Sequence, residues 1–233
     1  MDDLLKLMKE RRSTRVPFDM NRPVPGKDLQ QILDAARWTP TAHNMQNFEI
    51  IVVDDTNVIQ SISKIKRPIS EIFIRENYPL LSFSEEELGR RKTGILGTVF
   101  PESWRHPDFN ISDRSEEELA SMQRPFPASP LMLVVVYDPS HRAPASEGDF
   151  LGIISLGCAM ENMWLMASSL GIGFHILSSL SSEPVVGEVK RILKIPLQLT
   201  VAFTCRLGYP REPLPAYLRV RRDVDDFVHH NGW

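Results

Sequence analysis

Cysteine is nearly absent. The 233 residues include two, Cys158 and Cys205, in no CxxC pattern. That excludes a disulfide-built scaffold and a cysteine-rich zinc site, and it fits a reducing cytoplasm. The six histidines show no HExxH or other metal-ligand spacing. No GxSxG occurs, and neither cysteine has an evident histidine partner, so the machinery of a nucleophilic hydrolase is missing. Basic charge is not in surplus: 27 Lys and Arg stand against 30 Asp and Glu, net −3. A general nucleic-acid binder usually carries a basic excess. The opening MDDLLKLMKERRSTR is charged from its second residue and lacks the apolar stretch of a signal peptide. Charged residues at 24% and apolar residues at 42% lie near globular averages, which excludes wholesale disorder.

Uninterrupted apolar runs are also scarce. The longest candidate, Leu151 to Leu170, carries Glu161 and Asn162 at its centre. A carboxylate at a bilayer midplane is costly, so the segment is expected to be a helix buried inside a soluble protein. Helical spacing recurs over 2–11 (Leu4, Leu5, Leu7, Met8) and 27–38 (Leu29, Ile32, Leu33, Ala36). A short helix opened by Thr56 is predicted over 56–66, and another from Pro184 to about Lys194. Strands are predicted at 48–54 (buried), 131–137, 174–177 and 197–208. Helices outnumber strands and do not alternate strictly with them. An α+β layer fold is therefore expected rather than a Rossmann-type sheet.

Residues 67–127 differ from the rest. They hold 11 acidic and 8 basic residues, many prolines and aromatics, and no long apolar period. They read as an insertion of short helices and loops within a single domain spanning 1–233.

Four clusters could carry chemistry. Arg11-Arg12-Ser13-Thr14-Arg15 follows the first helix. Guanidinium forks match phosphate oxygens bidentately and serine adds a short donor; the alternative is a basic turn complementing the helix C-terminus. The loop Pro40-Thr41-Ala42-His43-Asn44-Met45-Gln46-Asn47 offers amides and hydroxyls without carboxylates. That chemistry suits the edge of a neutral heterocycle, or an ordinary loop with Asx turns. Gly171-Ile172-Gly173 closes a helix, whereas a dinucleotide fingerprint must open one. Arg219-Val220-Arg221-Arg222 forms a second basic cluster, either a solvated tail or a group converging with the first on one dianion.

Together these clusters resemble the FMN-dependent nitroreductase family. That family has a helix followed by R-R-S-x-R, as at Arg11 to Arg15, and then a P-S-S-x-N-x-Q-P-W loop before a strand. Here the loop is Pro40 to Phe48, with Ala42 for the second small hydroxyl and Asn47-Phe48 for Pro-Trp. A long helix ending N-x-x-L-x-A-x-x-x-G-x-G matches Asn162 to Gly173, and a terminal L-G-Y-P leads to Arg219 and Arg221. The resemblance implies a mixed, mainly antiparallel sheet surrounded by helices, and a homodimer with FMN in its interface. It also implies that Arg11, Arg12, Ser13 and Arg15 hold the phosphate side, with Arg124, Arg219 and Arg221 assisting. Thr41, Ala42 and Asn44 would face the flavin from the partner subunit, with Pro40 and Gln46 of the same loop also counted as cofactor-binding. Leu177, Ser178 and Ser179 would approach flavin N5 and O4. The segment 67–127 would form a lid and acceptor pocket, with Tyr78, Phe100, Trp104 and Arg105 as its grip.

The implied activity is electron transfer from NAD(P)H through FMN to a nitroaromatic, quinone or similar acceptor, by a ping-pong cycle in the cytoplasm. The protein supplies position and polarity rather than a nucleophile or a metal. Two alternatives stand beside it. One is a same-fold reductive dehalogenase or flavin-fragmenting enzyme, suggested by Glu76-Asn77-Tyr78 and Lys92. The other is a non-enzymatic module whose Arg clusters meet an anionic partner.

Overall fold

The computed structural model describes residues 3–67, 76, 82–97, 115, 126–146, 148–183, 185–216 and 218–233. The chain divides into two compact units, Met1–Arg67 with Pro125–Leu214, and Pro68–Arg124 with Pro215–Trp233.

The first unit is built on a four-stranded sheet. Its strands are β1 (Glu49–Val53), β4 (Leu131–Tyr137), β5 (Gly173–Ile176) and β6 (Thr200–Gly208), in the order β1-β4-β6-β5. All three pairings are antiparallel. A single parallel bridge, Ser13 to Phe174, adds the segment after the first helix to the β5 edge. This is the expected α+β architecture with a mainly antiparallel sheet.

Alternation along β4 distributes the core. Met132, Val134 and Val136 face one side, with Ile59 and Ile62 of α3 (Thr56–Ser63) and Val185, Val186 and Val189 of α6 (Val185–Leu193). Leu131, Leu133 and Val135 face the other, with Ile32 and Ala36 of α2 (Gly26–Arg37) and Leu156, Met163 and Ala167 of α5 (Phe150–Ser169). Helices cover both faces, so the central strand β4 is buried at six of its seven positions. In β6 a bulge skips Ala202: Val135 pairs with Phe203 and Val136 with Val201. The skip puts Val201 in the first cluster and Phe203 in the second, although both are odd-numbered.

Four sequence expectations need correction. The 48–54 segment is an edge strand in which only Val53 is buried, because among the described residues β1 has a neighbour on one side alone. Helix α3 is capped by Asp55, not opened by Thr56: Asp55 Oδ1 accepts from the amides of Asn57 (2.7 Å) and Val58 (3.4 Å). An aspartate side chain reaches the orphan amides of a first turn. The helix ends at Ser63 rather than 66. Finally, α5 is not buried throughout. It hides one stripe, Ser155, Leu156, Ala159, Met163 and Ala167, and leaves Phe150, Ile153 and Ile154 exposed at 65%, 50% and 47%. By length and composition alone α5 could cross a membrane. Its polar centre is instead satisfied within the protein, Asn162 donating to Thr39 and Ala35 and Glu161 pairing with Arg11.

Among the described residues of the second unit, β2 (Ser82–Phe83) and β3 (Ile95–Leu96) pair in parallel around α4 (Glu85–Arg91). Ser84 caps α4 by accepting from the Glu87 amide at 3.2 Å. Lys92, in the left-handed conformation just past α4, pairs with Asp223.

Candidate functional site

Helix α1 (Asp3–Glu10) delivers the chain into an extended segment with alternating burial. Thr14, Val16 and Phe18 are buried, Ser13 is half-buried and Arg15 is exposed. The inward residues anchor the segment. The Thr14 amide donates to Phe174 O of β5 at 2.9 Å, and the Phe18 amide to Ala128 O at 3.1 Å. The outward residues, Ser13 and Arg15, present a hydroxyl and a guanidinium, with Arg12 exposed beside them. This donor set suits an anion.

Arg11 behaves differently from its neighbours. Its guanidinium lies over the Trp164 ring, 4.1 Å from the centroid, and its Nε is 3.1 Å from Glu161 Oε1. Both partners belong to α5. Arg11 is therefore packed against the long helix by a cation–π contact and an ion pair.

Three residues along β5 from the Phe174 anchor, a distance of about 10 Å in extended chain, the backbone leaves the sheet at Leu177. Leu177 is buried and its amide donates to Thr204 O at 2.7 Å. Ser178 and Ser179 follow, exposed, in a single 3-10 turn. The structure thus joins Arg12, Ser13, Arg15, Leu177, Ser178 and Ser179 through one strand.

The loop 40–47 is anchored elsewhere on α5. Three of its residues hold positive φ without being glycine: His43 at 51°, Asn44 at 53° and Gln46 at 46°. Such conformations carry strain and persist only when surroundings fix them. Here the Gln46 amide donates to Thr41 Oγ1 (3.0 Å), the Gln46 side chain to Asn44 Oδ1 (3.3 Å), and the Ala42 amide to Ser155 Oγ (3.3 Å). Asn47 is buried against the bare backbone of Gly152, where an added Cβ would meet its Nδ2 at 2.8 Å. Its Oδ1 has no hydrogen-bond partner among the described residues. Asn44 and Gln46 are exposed, as is Pro40, and Thr41 and Ala42 half-buried. Ser155 and Trp164 are nine residues apart, about 13 Å along a helix, so one chain holds the loop and the Arg11 cluster at different turns of α5.

Arg219 and Arg221 are exposed and belong to the second unit. Arg124, Tyr78, Phe100, Trp104 and Arg105 lie outside the described residues. Among the described residues no group of three His, Cys, Asp or Glu could hold a metal.

One residue escaped the sequence reading. Arg206 of β6 is completely buried. Its Nε donates to His175 Nδ1 (2.9 Å), its Nη1 to Ala128 O (3.2 Å), and its Nη2 to both Thr14 O (3.0 Å) and Val16 O (2.8 Å). Phe18 places its ring 4.3 Å from the guanidinium carbon. Burial lowers the Arg206 pKa to about 10. Burial, with the charges of Arg206 and Arg15, pushes the His175 pKa down to about 3. His175 is therefore neutral and accepts through Nδ1. A basic residue in a strand otherwise read as core was the available signal.

A sequence model of the Nitroreductase family matches residues 8–209. A protein of Archaeoglobus fulgidus, "Putative NADH dehydrogenase/NAD(P)H nitroreductase", is 24% identical over the full length of both chains. Among solved structures, a nitroreductase with bound FMN from Bacteroides fragilis aligns with a TM-score of 0.63 at 19% identity, over 99% of this chain and 100% of that one. A nitroreductase with bound FMN from Desulfitobacterium hafniense aligns at 0.60 and 21% identity over the whole of both chains.

Proposed function

This chain belongs to the nitroreductase family, and on that premise we propose that it is an FMN-dependent oxidoreductase that takes electrons from NAD(P)H and delivers them to nitroaromatics, quinones or similar small acceptors. The observation that carries the proposal is the bridge between Ser13 and Phe174. It fixes an anion-binding segment to the strand that ends at Leu177, Ser178 and Ser179, so a phosphate site and a backbone turn share one rigid support. FMN, when bound, supplies reversible hydride chemistry at its N5.

The chain's own residues have three tasks on this reading. Arg12, Ser13 and Arg15 grip the phosphate, with Arg11 held close by Trp164 and Glu161. Leu177 to Ser179 offer backbone groups to the reacting edge of the ring. The strained loop 40–47 keeps Thr41, Ala42, Asn44 and Gln46 poised for a second copy of the chain, since its own clasp is anchored at another turn of α5. A homodimer also accounts for the uncovered apolar side chains Phe150, Ile153 and Ile154 on α5 and Leu4, Leu5 and Met8 on α1, which a monomer would leave in water. The acceptor pocket is assigned to residues 67–127, with Tyr78, Phe100, Trp104 and Arg105, and the enzyme to the cytoplasm.

The test is spectroscopic. Purified protein, or protein reconstituted with FMN, should be yellow and bleach on addition of NADH or NADPH. Arg11→Ala with Arg15→Ala should release the flavin while the fold persists. Two charged contacts at about 1.5 kcal/mol or more apiece amount to roughly a hundredfold in affinity. Protein that takes up no FMN, or a double variant with full occupancy, defeats the proposal. Arg219→Ala and Arg221→Ala in the same titration test the tail cluster.

A further inference from the structure

Arg206 has no part in the family motifs. Among the described residues no ion pair involves it. A cation in a protein interior is costly, and a buried charge is often replaceable by an apolar residue with no loss of stability. Its retention here, with three carbonyls and a neutral imidazole turned toward it, calls for a task beyond filling space.

We propose that Arg206 is the positioning residue of the anion clasp: from inside the sheet it holds the backbone of residues 14–16 so that Ser13 and Arg15 face outward with fixed spacing. The proposal rests on the reading of residues 11–15 as a phosphate site. Geometry supports it in three ways. First, the segment's alternation separates two roles. Thr14 and Val16 point inward, and their carbonyls accept from the same Nη2, at 3.0 and 2.8 Å; Ser13 and Arg15 point outward. Second, Thr14 is gripped on both of its backbone groups, its amide by Phe174 O and its carbonyl by Arg206. Third, Ala128 O accepts from both Arg206 Nη1 and the Phe18 amide, while the Phe18 ring lies against the guanidinium. One planar fork therefore ties both ends of the 14–18 stretch to β6.

His175 completes the arrangement. It is paired with Arg206 across the β5–β6 ladder, and its Nδ1 accepts a hydrogen bond from the Arg206 Nε–H. This orients the fork toward residues 14–16. Arg15 lies near enough for its charge to act on His175, so the guanidinium inside the sheet and the one outside share one neighbourhood. A lysine could supply the charge but not four directed bonds from a rigid plane.

The experiment uses the full-length protein with and without FMN. Arg206→Met and Arg206→Lys are compared with the wild type by two measurements: the FMN dissociation constant, from quenching of flavin fluorescence, and hydrogen exchange of the Thr14 amide in the flavin-free protein. Each variant should bind FMN about tenfold more weakly or worse, and its Thr14 amide should exchange at least about tenfold faster, as expected when a charged hydrogen bond worth about 1.5 kcal/mol or more is lost. Val189→Ala, on the buried face of α6, serves as a control for general destabilisation. It should lower the melting temperature and leave both quantities within about twofold of wild type. If Arg206→Met does not fold, Arg206→Lys decides the matter alone. Wild-type values of both quantities in a folded Arg206 variant overturn the proposal, as does an equal change in Val189→Ala at matched stability. Failure of the wild type to bind FMN would refute the cofactor assignment, and Thr14 exchange would still judge the positioning role.

Discussion

Glu161→Gln offers a perturbation whose direction is not obvious from the family motifs. Glu161 Oε1 lies 3.1 Å from Arg11 Nε, with the two side chains 40% and 21% exposed. In water two unit charges at that separation attract by about 1.3 kcal/mol, and partial burial raises the figure. Side-chain ordering and screening offset most of it, so measured pairs of this kind contribute about 0.2–1 kcal/mol. The fold should therefore lose no more than about 1 kcal/mol, with the cation–π contact to Trp164 retained. FMN binding should move the other way. A phosphate competes with Glu161 for Arg11 and is repelled by its carboxylate. Removing that charge should tighten FMN by roughly twofold to fivefold. Fluorescence titration of flavin-free protein at low and high salt measures this. The gain should shrink at high salt, because both effects are Coulombic. Weaker or unchanged FMN binding in a variant of normal stability would show that Glu161 orients Arg11 for the phosphate rather than competing with it.

Three further outcomes follow from the same geometry. His175 is charged in the unfolded chain below its ordinary pKa of 6.5 but stays neutral in the fold down to about 3. The unfolded state thus binds the extra proton, and stability falls as the pH drops from 6.5 towards 3, by up to about 1.4 kcal/mol per unit from this group. Urea titrations of His175→Gln should show a shallower decline over that window, and parallel slopes would refute the assignment. Gly173→Ala would bring a methyl within 2.6 Å of Phe18 Cε1 and 2.8 Å of Thr14 Cγ2. Such overpacking costs about 1–3 kcal/mol, so thermal melts should fall and FMN affinity with them, since both displaced side chains anchor the clasp segment. Ser155→Ala removes the acceptor of the Ala42 amide at 3.3 Å. Hydrogen exchange should report faster opening of residues 41–46, by about fivefold for roughly 1 kcal/mol, while the Thr14 amide stays as protected as before.

Much of the architecture could be read from the residues because local chemistry fixed it. The apolar runs at 131–137 and 197–208 had to hold strands, the second starting only at Thr200, and the periodicity at 27–38 had to be a helix, whatever they packed against. The Arg11–Arg15 and Pro40–Asn47 clusters could be singled out because their donor chemistry is unusual over so few positions. The errors arose where neighbours decide. The strand at 48–54 looked buried because its composition is apolar, yet its edge position leaves Val52 at 37% exposure. Helix α5 looked wholly buried for the same reason, yet within one chain only a single stripe finds partners.

Arg206 marks the boundary between the two kinds of information most clearly. In the sequence, Arg206 is a single charged residue within the strand predicted over 197–208. In the fold the 14–18 segment covers it, with Thr14, Val16 and Phe18 against its guanidinium. Composition and local pattern thus determined the class of fold and the residues able to bind an anion. Only the folded chain decided that an arginine nearly two hundred positions further on would stand beneath those residues. Burial depends on what packs from both sides, and that is a property of contacts between distant segments, not of any one of them.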